Sequence, residues 1–178
     1  VADQIDKGFA WLPEDRQREG LVQTMSIAKN IALSNIGKYT NPLGLIDKSK
    51  EDADDAEMIK DVNIKVADKD LPILSLSGGN QQKVVFAKGA LTNPQIMLLD
   101  EPSRGIDIGA KTEICHLIYQ YAKRGVSLLV ISSELEEIIA IADRILVLSN
   151  GIKTAELTGD DITQDNLVKA SYMGHKAN

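Results

Sequence analysis

Ser77-Gly78-Gly79 precedes a helix-forming segment. The serine is a good helix cap, and two residues without side chains let backbone amides come within hydrogen-bonding distance of a phosphate at the helix's positive end. Seventeen residues after Lys83, a strand running from Ile96 through Met97, Leu98 and Leu99 ends in Asp100-Glu101-Pro102. In an open α/β sheet, strand carboxyl ends face the crevice where ligands bind. Asp100 is then placed to hold magnesium and Glu101 to orient and polarise an attacking water. Taken singly, Ser-Gly-Gly fits an ordinary turn before a capped helix, and two acids beside a proline fit a solvated strand end. Taken together, with one helix between them, they fit a nucleoside triphosphate and its magnesium. No segment has the phosphate-cradling pattern Gly, four residues, Gly-Lys-Ser/Thr, so the chain carries half of such a site.

The positioning elements follow from periodicity. Phe9 to Leu12 reads as a short strand stopped by Pro13, and the densely charged run from Pro13 to Gly20 reads as an exposed loop. Apolar residues recur at helical spacing from Ser26 to about Asn35 and from Ala53 to Val62, separated by Asn41-Pro42-Leu43-Gly44. A helix follows Ser77 to about Leu91 and closes at Asn93-Pro94. Asp107 is positioned to cap another, whose stripe is Ala110, Ile114, Leu117, Ile118 and Tyr121, with Gly125 as terminator. The run Val126 to Ile131 predicts a strand buried on both faces of a parallel sheet. A helix bearing Leu135, Ile138, Ile139 and Ala142 leads to a strand from Ile145 to Leu148. Asn150-Gly151 then turns into a hairpin partner, Ile152 to Leu157. Strand and helix alternate after Gln95, which argues for an α/β fold.

At 178 residues, 43% hydrophobic and 26% charged, the chain can bury a sizeable core. Its net charge is −6, and between Asp47 and Asp61 seven carboxylates face three lysines, which reads as a solvated helix face or loop. Nucleic acid is excluded as an expected partner, because phosphate-backbone binding needs clustered cations. The single cysteine, Cys115, forms no internal disulfide, reads as lying on a buried helix face and fits a reducing compartment. No apolar run approaches the roughly 18 residues of a membrane span.

Leu74-Ser75-Leu76-Ser77-Gly78-Gly79 resembles the signature motif of ATP-binding cassette (ABC) proteins, and Leu98-Leu99-Asp100-Glu101-Pro102 their Walker B strand. The wider wording, through Asn80-Gln81-Gln82-Lys83 and Ser103-Arg104-Gly105-Ile106-Asp107-Ile108-Gly109, is similar to the second cassette of tandem ATPase subunits in bacterial ribose, galactose and xylose importers. Pro13-Glu14-Asp15-Arg16 with Glu19-Gly20 is typical of the same cassette. The resemblance implies a partial P-loop NTPase (ABC ATPase) fold, α/β, with a mostly parallel sheet and a helical subdomain. Its expected parts are a strand and Q-loop region (1–20), a helical subdomain with the signature (21–91), an α/β portion with Walker B, D-loop and switch (92–159), and a tail (160–178). It further implies ATP and Mg2+ bound between two cassettes stacked head to tail. Ser77, Gly78, Gly79 and Asn80 would contact the triphosphate of the partner cassette, while Asp100 and Glu101 would serve the nucleotide of this one. Asp107 matches the D-loop aspartate that couples the two sites, and Glu14 falls at the Q-loop position, at the junction between the nucleotide and the membrane subunit, where it counts with Glu101 and Ser133 among the catalytic residues the resemblance implies. Other implied partners are permease subunits and, indirectly, a periplasmic or lipoprotein sugar-binding protein, with the chain peripheral on the cytoplasmic face of the membrane.

The chain departs from the family pattern at three positions, of which Ser133 and Glu14 bear on activity and Asn80 reads as a subfamily trait without cost. Ser133 stands where most cassettes place a histidine, Glu14 where they place a glutamine, and Asn80 where the signature carries a glutamine. A serine hydroxyl supplies neither cation nor imidazole, so this cassette's own site is expected to be slower than its partner's. Neither His116, mid-helix, nor His175, in the tail, is a stand-in. Lacking the Walker A lysine and amides, the chain reads as a truncated cassette, expected to be inactive in isolation. Two other classes remain open at this point: a soluble cassette protein outside transport, and a non-catalytic interaction module.

Overall fold

The computed structural model describes residues 2–173. The chain divides into two units, one ending at Ile131 and one beginning at Ser132.

In the first unit, α1 (Ala2–Asp6) leads through Gly8 to β1 (Phe9–Leu12). The charged segment after Pro13 is not loop throughout: Arg16–Gly20 forms one wide turn of π-helix, with the Asp15 carboxylate accepting from the N–H groups of Gln17 and Arg18. Then come α2 (Ile27–Ala32), a short 3-10 turn, α3 (Ile36–Tyr39) and α4 (Lys48–Asp61). Ser26 caps α2 and Asp47 caps α4, each through a side-chain oxygen on the third amide beyond it. α4 starts earlier than its apolar spacing predicts. Its first turns are polar and held by that cap and by Lys48, 3.1 Å from Glu51 and 3.4 Å from Asp52.

Further along stand α5 (Gly78–Ala90), β2 (Ile96–Asp100), α6 (Ile108–Lys123) and β3 (Ser127–Ile131). The strands form one parallel sheet in the order β1-β2-β3, with Trp11, Leu98 and Leu129 in register across it. α5 covers one face: a Cβ on Gly89 would stand 3.1 Å from a Leu12 methyl and 3.5 Å from the Ala10 and Met97 side chains. Leu12, Val84, Phe86, Met97 and Leu99 are fully buried there. Each such side chain contributes about 1.5–3 kcal/mol by leaving water. Phe86 meets Tyr121 of α6 edge-on, ring centres 5.0 Å apart.

Three expectations are corrected here. β3 is parallel but not buried on both faces: Leu129 and Ile131 are more than half exposed, on the face of the sheet that they share with the in-register and equally exposed Trp11. An apolar run reports that a strand can be covered on both faces, not that a layer packs over each of them. The acidic stretch is not solvated throughout, since Glu51 and Asp55 are buried. Cys115 is only half-buried, beside the stripe that α6 turns inward.

The second unit holds α7 (Leu135–Ile141), the antiparallel pair β4 (Arg144–Ser149) and β5 (Ile152–Thr158), and α8 (Gln164–Met173). Asn150 and Gly151 both adopt positive φ (50° and 76°), the backbone a two-residue hairpin turn requires. Ile145, Val147, Leu167 and Ala170 form its core, with the α7 stripe Leu135, Ile138, Ile139 and Ala142 packed against them. His175 lies outside the described residues.

Candidate functional site

The glycine pair opens α5 as its spacing predicts. Ser77 is the N-cap, exposed, with its Oγ accepting from the Asn80 N–H at 3.5 Å and from the Asn80 side-chain amide at 3.2 Å. The Asn80 carbonyl oxygen accepts from the Lys65 N–H at 2.9 Å, so that side chain braces the preceding loop. Helix geometry leaves the N–H groups of Gly78 and Gly79 without an intrahelical acceptor. Gly79 is buried and Gly78 half-buried, so the outer amide is the more accessible to an anion.

β2 delivers the two carboxylates to the end of the parallel sheet. Asp100 and Glu101 are both half-buried, and Glu101 holds a left-handed backbone, φ 45°, that non-glycine residues rarely adopt. Its N–H donates to the Ile131 carbonyl at 2.8 Å, and its carbonyl accepts from the Arg104 N–H at 3.0 Å. These bonds pin the turn that points the chain toward α6.

That turn brings Gly105 and Asp107 to the glycine pair. The Gly105 carbonyl lies 3.6 Å from where a Cβ on Gly78 would stand, and the Asp107 carboxylate 4.0 Å from the same point on Gly79. Asp107 also caps α6 through the Ala110 N–H at 3.0 Å. Glu14 is exposed and ion-paired with Arg104, in a cleft of 390 Å³ that also includes Arg16 and Gly105. Ser77, Gly78, Gly79, Asn80, Gly105, Asp107 and Glu14 therefore gather around one connected region at the end of the sheet. Ser133 belongs to the second unit, where it is exposed ahead of α7.

A larger cleft, 640 Å³, contains none of these residues. Its polar wall is already engaged: Lys83, buried, donates to the Asn63 carbonyl at 2.7 Å and pairs with Glu113. Sequence reasoning assigned no role to Arg16, whose guanidinium donates to the carbonyls of Arg104 at 3.0 Å and Gly105 at 3.4 Å. A contact spanning 88 residues leaves no local signal.

Among the described residues no three His, Cys, Asp or Glu side chains cluster so as to hold a metal ion by themselves. Magnesium bound through substrate phosphates needs only one or two protein carboxylates, and Asp100 with Glu101 fits that demand. No helix among the described residues is long and apolar enough to cross a membrane.

Residues 2–104 match the family model described as ABC transporter. The chain is 42% identical over 169 residues to the ribose import ATP-binding protein RbsA of Clostridium perfringens, covering 95% of this chain and 34% of that protein. It is 44% identical over 167 residues to the xylose import ATP-binding protein XylG of Escherichia coli, covering 94% and 33%. The chain thus spans about a third of the length of these curated relatives. A nucleotide-free ATP-binding cassette from an ABC transporter shares the fold at a TM-score of 0.77 and 19% identity, over 94% of this chain and 67% of the other. The dimeric post-hydrolysis cassette MJ0796, bound to ADP and Pi, matches at 0.72 and 21% identity, over 84% and 62%. The α/β architecture is shared with solved ATP-binding cassettes, and the chain belongs to the ABC transporter family.

Proposed function

We propose that the chain is part of an ATP-binding subunit, its second nucleotide-binding domain, which energises import of a monosaccharide across the bacterial inner membrane. One observation carries the reading: the loop that follows Asp100 and Glu101 lies against the glycine pair that opens α5. The import ATP-binding relatives, alike over nearly the whole chain, support the transport assignment.

In this reading a second cassette supplies a triphosphate whose terminal phosphate accepts from the amides at the start of α5. The positive helix end favours that anion without any charged side chain. Ser77 adds its hydroxyl, and Asn80 keeps the first turn in place. Asp100 would hold magnesium on this cassette's own nucleotide, and Glu101 would polarise the attacking water, accepting its proton as the oxygen attacks phosphorus. Magnesium, when bound, neutralises charge on the phosphates. Ser133, which stands at the switch position of the resemblance, offers a hydroxyl that can donate only a single hydrogen bond. Asp107 couples the two sites, and Glu14 faces the membrane subunits. The permease subunits and, through them, a periplasmic or lipoprotein sugar-binding protein complete the assembly on the cytoplasmic face.

The test is purification of the assembly followed by magnesium-dependent ATP turnover and monosaccharide uptake in vesicles. Retention of membrane subunits together with ATP-driven uptake supports the reading. A chain that captures no membrane subunit, or that alone hydrolyses ATP at a rate abolished by Glu101→Gln, overturns it.

A further inference from the structure

We propose that Arg16 is a positioning residue of this site, tying the loop after Asp100 and Glu101 to the first turn of α5. The inference rests on the ATPase reading above. One guanidinium reaches both segments: Nη1 donates to the Arg104 carbonyl at 3.0 Å, Nη2 to the Gly105 carbonyl at 3.4 Å. Nη2 also stands 2.9 Å from where a Cβ on Gly78 would be. The absence of a side chain at Gly78 therefore makes room for this arginine as well as for an approaching phosphate. Gly105 turns its carbonyl toward Arg16 with φ 69°, a backbone suited to glycine.

Three features make the link rigid. The Asp15 carboxylate holds the N–H groups of Gln17 and Arg18, fixing the turn from which Arg16 projects. The Glu14–Arg104 ion pair joins the segment that carries Arg16 to the loop after Glu101 a second time. Among the described residues the buried Arg16 Nε has no hydrogen-bond partner, so the two terminal nitrogens make the connection. A lysine has one nitrogen and no planar fork, and cannot span both carbonyls in fixed geometry.

Charge points the same way. A cation is unfavourable beside the positive end of a helix, so stabilising α5 does not explain why Arg16 sits there. With an anion at the start of α5, the guanidinium and the helix end act in concert. Displacing Arg16 then frees Gly105 and the flank of Gly78 together.

The experiment compares Arg16→Lys and Arg16→Ala by amide hydrogen exchange in this chain, and by kcat and KM for ATP in the assembly that contains it. Exchange at residues 103–106 is expected to rise tenfold or more in both variants. In the assembly kcat is expected to fall at least tenfold, with KM changed less than threefold. Gly78→Ala, which leaves Arg16 in the chain but displaces Nη2, is expected to raise the same exchange and covers the case in which an Arg16 variant does not fold. Unchanged exchange at residues 103–106 overturns the link. Raised exchange with unchanged kcat overturns the positioning role. An assembly with Arg16 intact that hydrolyses no ATP overturns the ATPase reading and this role with it, while the exchange data still report separately on the link.

Discussion

Gly79 and Ala110 bring α5 and α6 so close that a Cβ on the glycine would lie 2.5 Å from the alanine Cβ. Real Cβ contacts essentially never reach that distance, so the second glycine is required by packing as well as by any ligand. Gly79→Ala must push the helices apart and is expected to cost about 1–3 kcal/mol. Chemical denaturation followed through Trp11, the single tryptophan, measures it. Stability equal to wild type would mean that the two helices separate freely.

Asp55 is fully buried on α4 with neither carboxylate oxygen hydrogen-bonded among the described residues, and the Lys69 amine is 3.9 Å away. Burial pushes its carboxyl up to about 6, against the pull of Lys69. The folded state therefore binds this proton more tightly than the unfolded chain does. Asp55's contribution to stability is most favourable below about pH 4 and falls as pH rises through about 6. Asp55→Asn removes the buried charge, and is expected to raise stability at pH 8 on the order of 1–2 kcal/mol while flattening the slope between pH 4 and 6. Denaturation midpoints at pH 5 and pH 8 for both proteins decide it. A variant less stable than wild type at pH 8 would contradict the buried-charge account.

Asp61 works in the opposite sense. Arg124 grips it with two 2.7 Å bonds and the Tyr121 hydroxyl adds a third, also 2.7 Å. The Arg124 bonds come first among the causes that hold its carboxyl below the usual range, and burial opposes them. Its contribution is present above the unfolded carboxylate value, near pH 4, and is lost as pH falls through the lower folded value. Asp61→Asn is expected to cost on the order of 1 kcal/mol at pH 7 and progressively less on acidification. An equal cost at pH 7 and at pH 2.5 would show that packing, not charge, makes this contact.

Glu101 holds φ 45° at the position where the proposed chemistry needs a carboxylate. Strain at such a site persists because the surrounding structure fixes it, here through the Ile131 carbonyl and the Arg104 amide. Glu101→Val, β-branched and poorly suited to positive φ, is expected to lose about 1–2 kcal/mol. Glu101→Gly is expected to be close to wild type in stability. Thermal denaturation of the pair checks the ordering, and a valine variant as stable as the glycine one would contradict it.

What was legible in the residues was local. Ser26, Asp47, Ser77 and Asp107 cap helices because short polar side chains answer the first free amides. Asn93, Gly125 and Asn150-Gly151 end elements because they tolerate positive φ. What was not legible depends on distant neighbours. β3 has the composition of a strand covered on both faces, yet its burial depends on what packs over it. Asp55 reads as one more acid in a charged run, and only tertiary packing around α4 takes it out of water. The Arg16 fork joins segments 88 residues apart. The glycine pair and the Asp100-Glu101 strand end were readable because each is local, a cap followed by two residues without side chains and an apolar strand that ends in two acids.

The central claim is that the start of α5 receives a terminal phosphate from a second cassette, and Ser77→Asp tests it most directly. Aspartate is as good an N-cap as serine and its charge suits the helix end, so folding stability should hold or rise by a few tenths of a kcal/mol. The same charge repels a phosphate. ATP turnover by the assembly that contains this chain is therefore expected to fall tenfold or more in a fully folded protein, whereas turnover equal to wild type would contradict the claim.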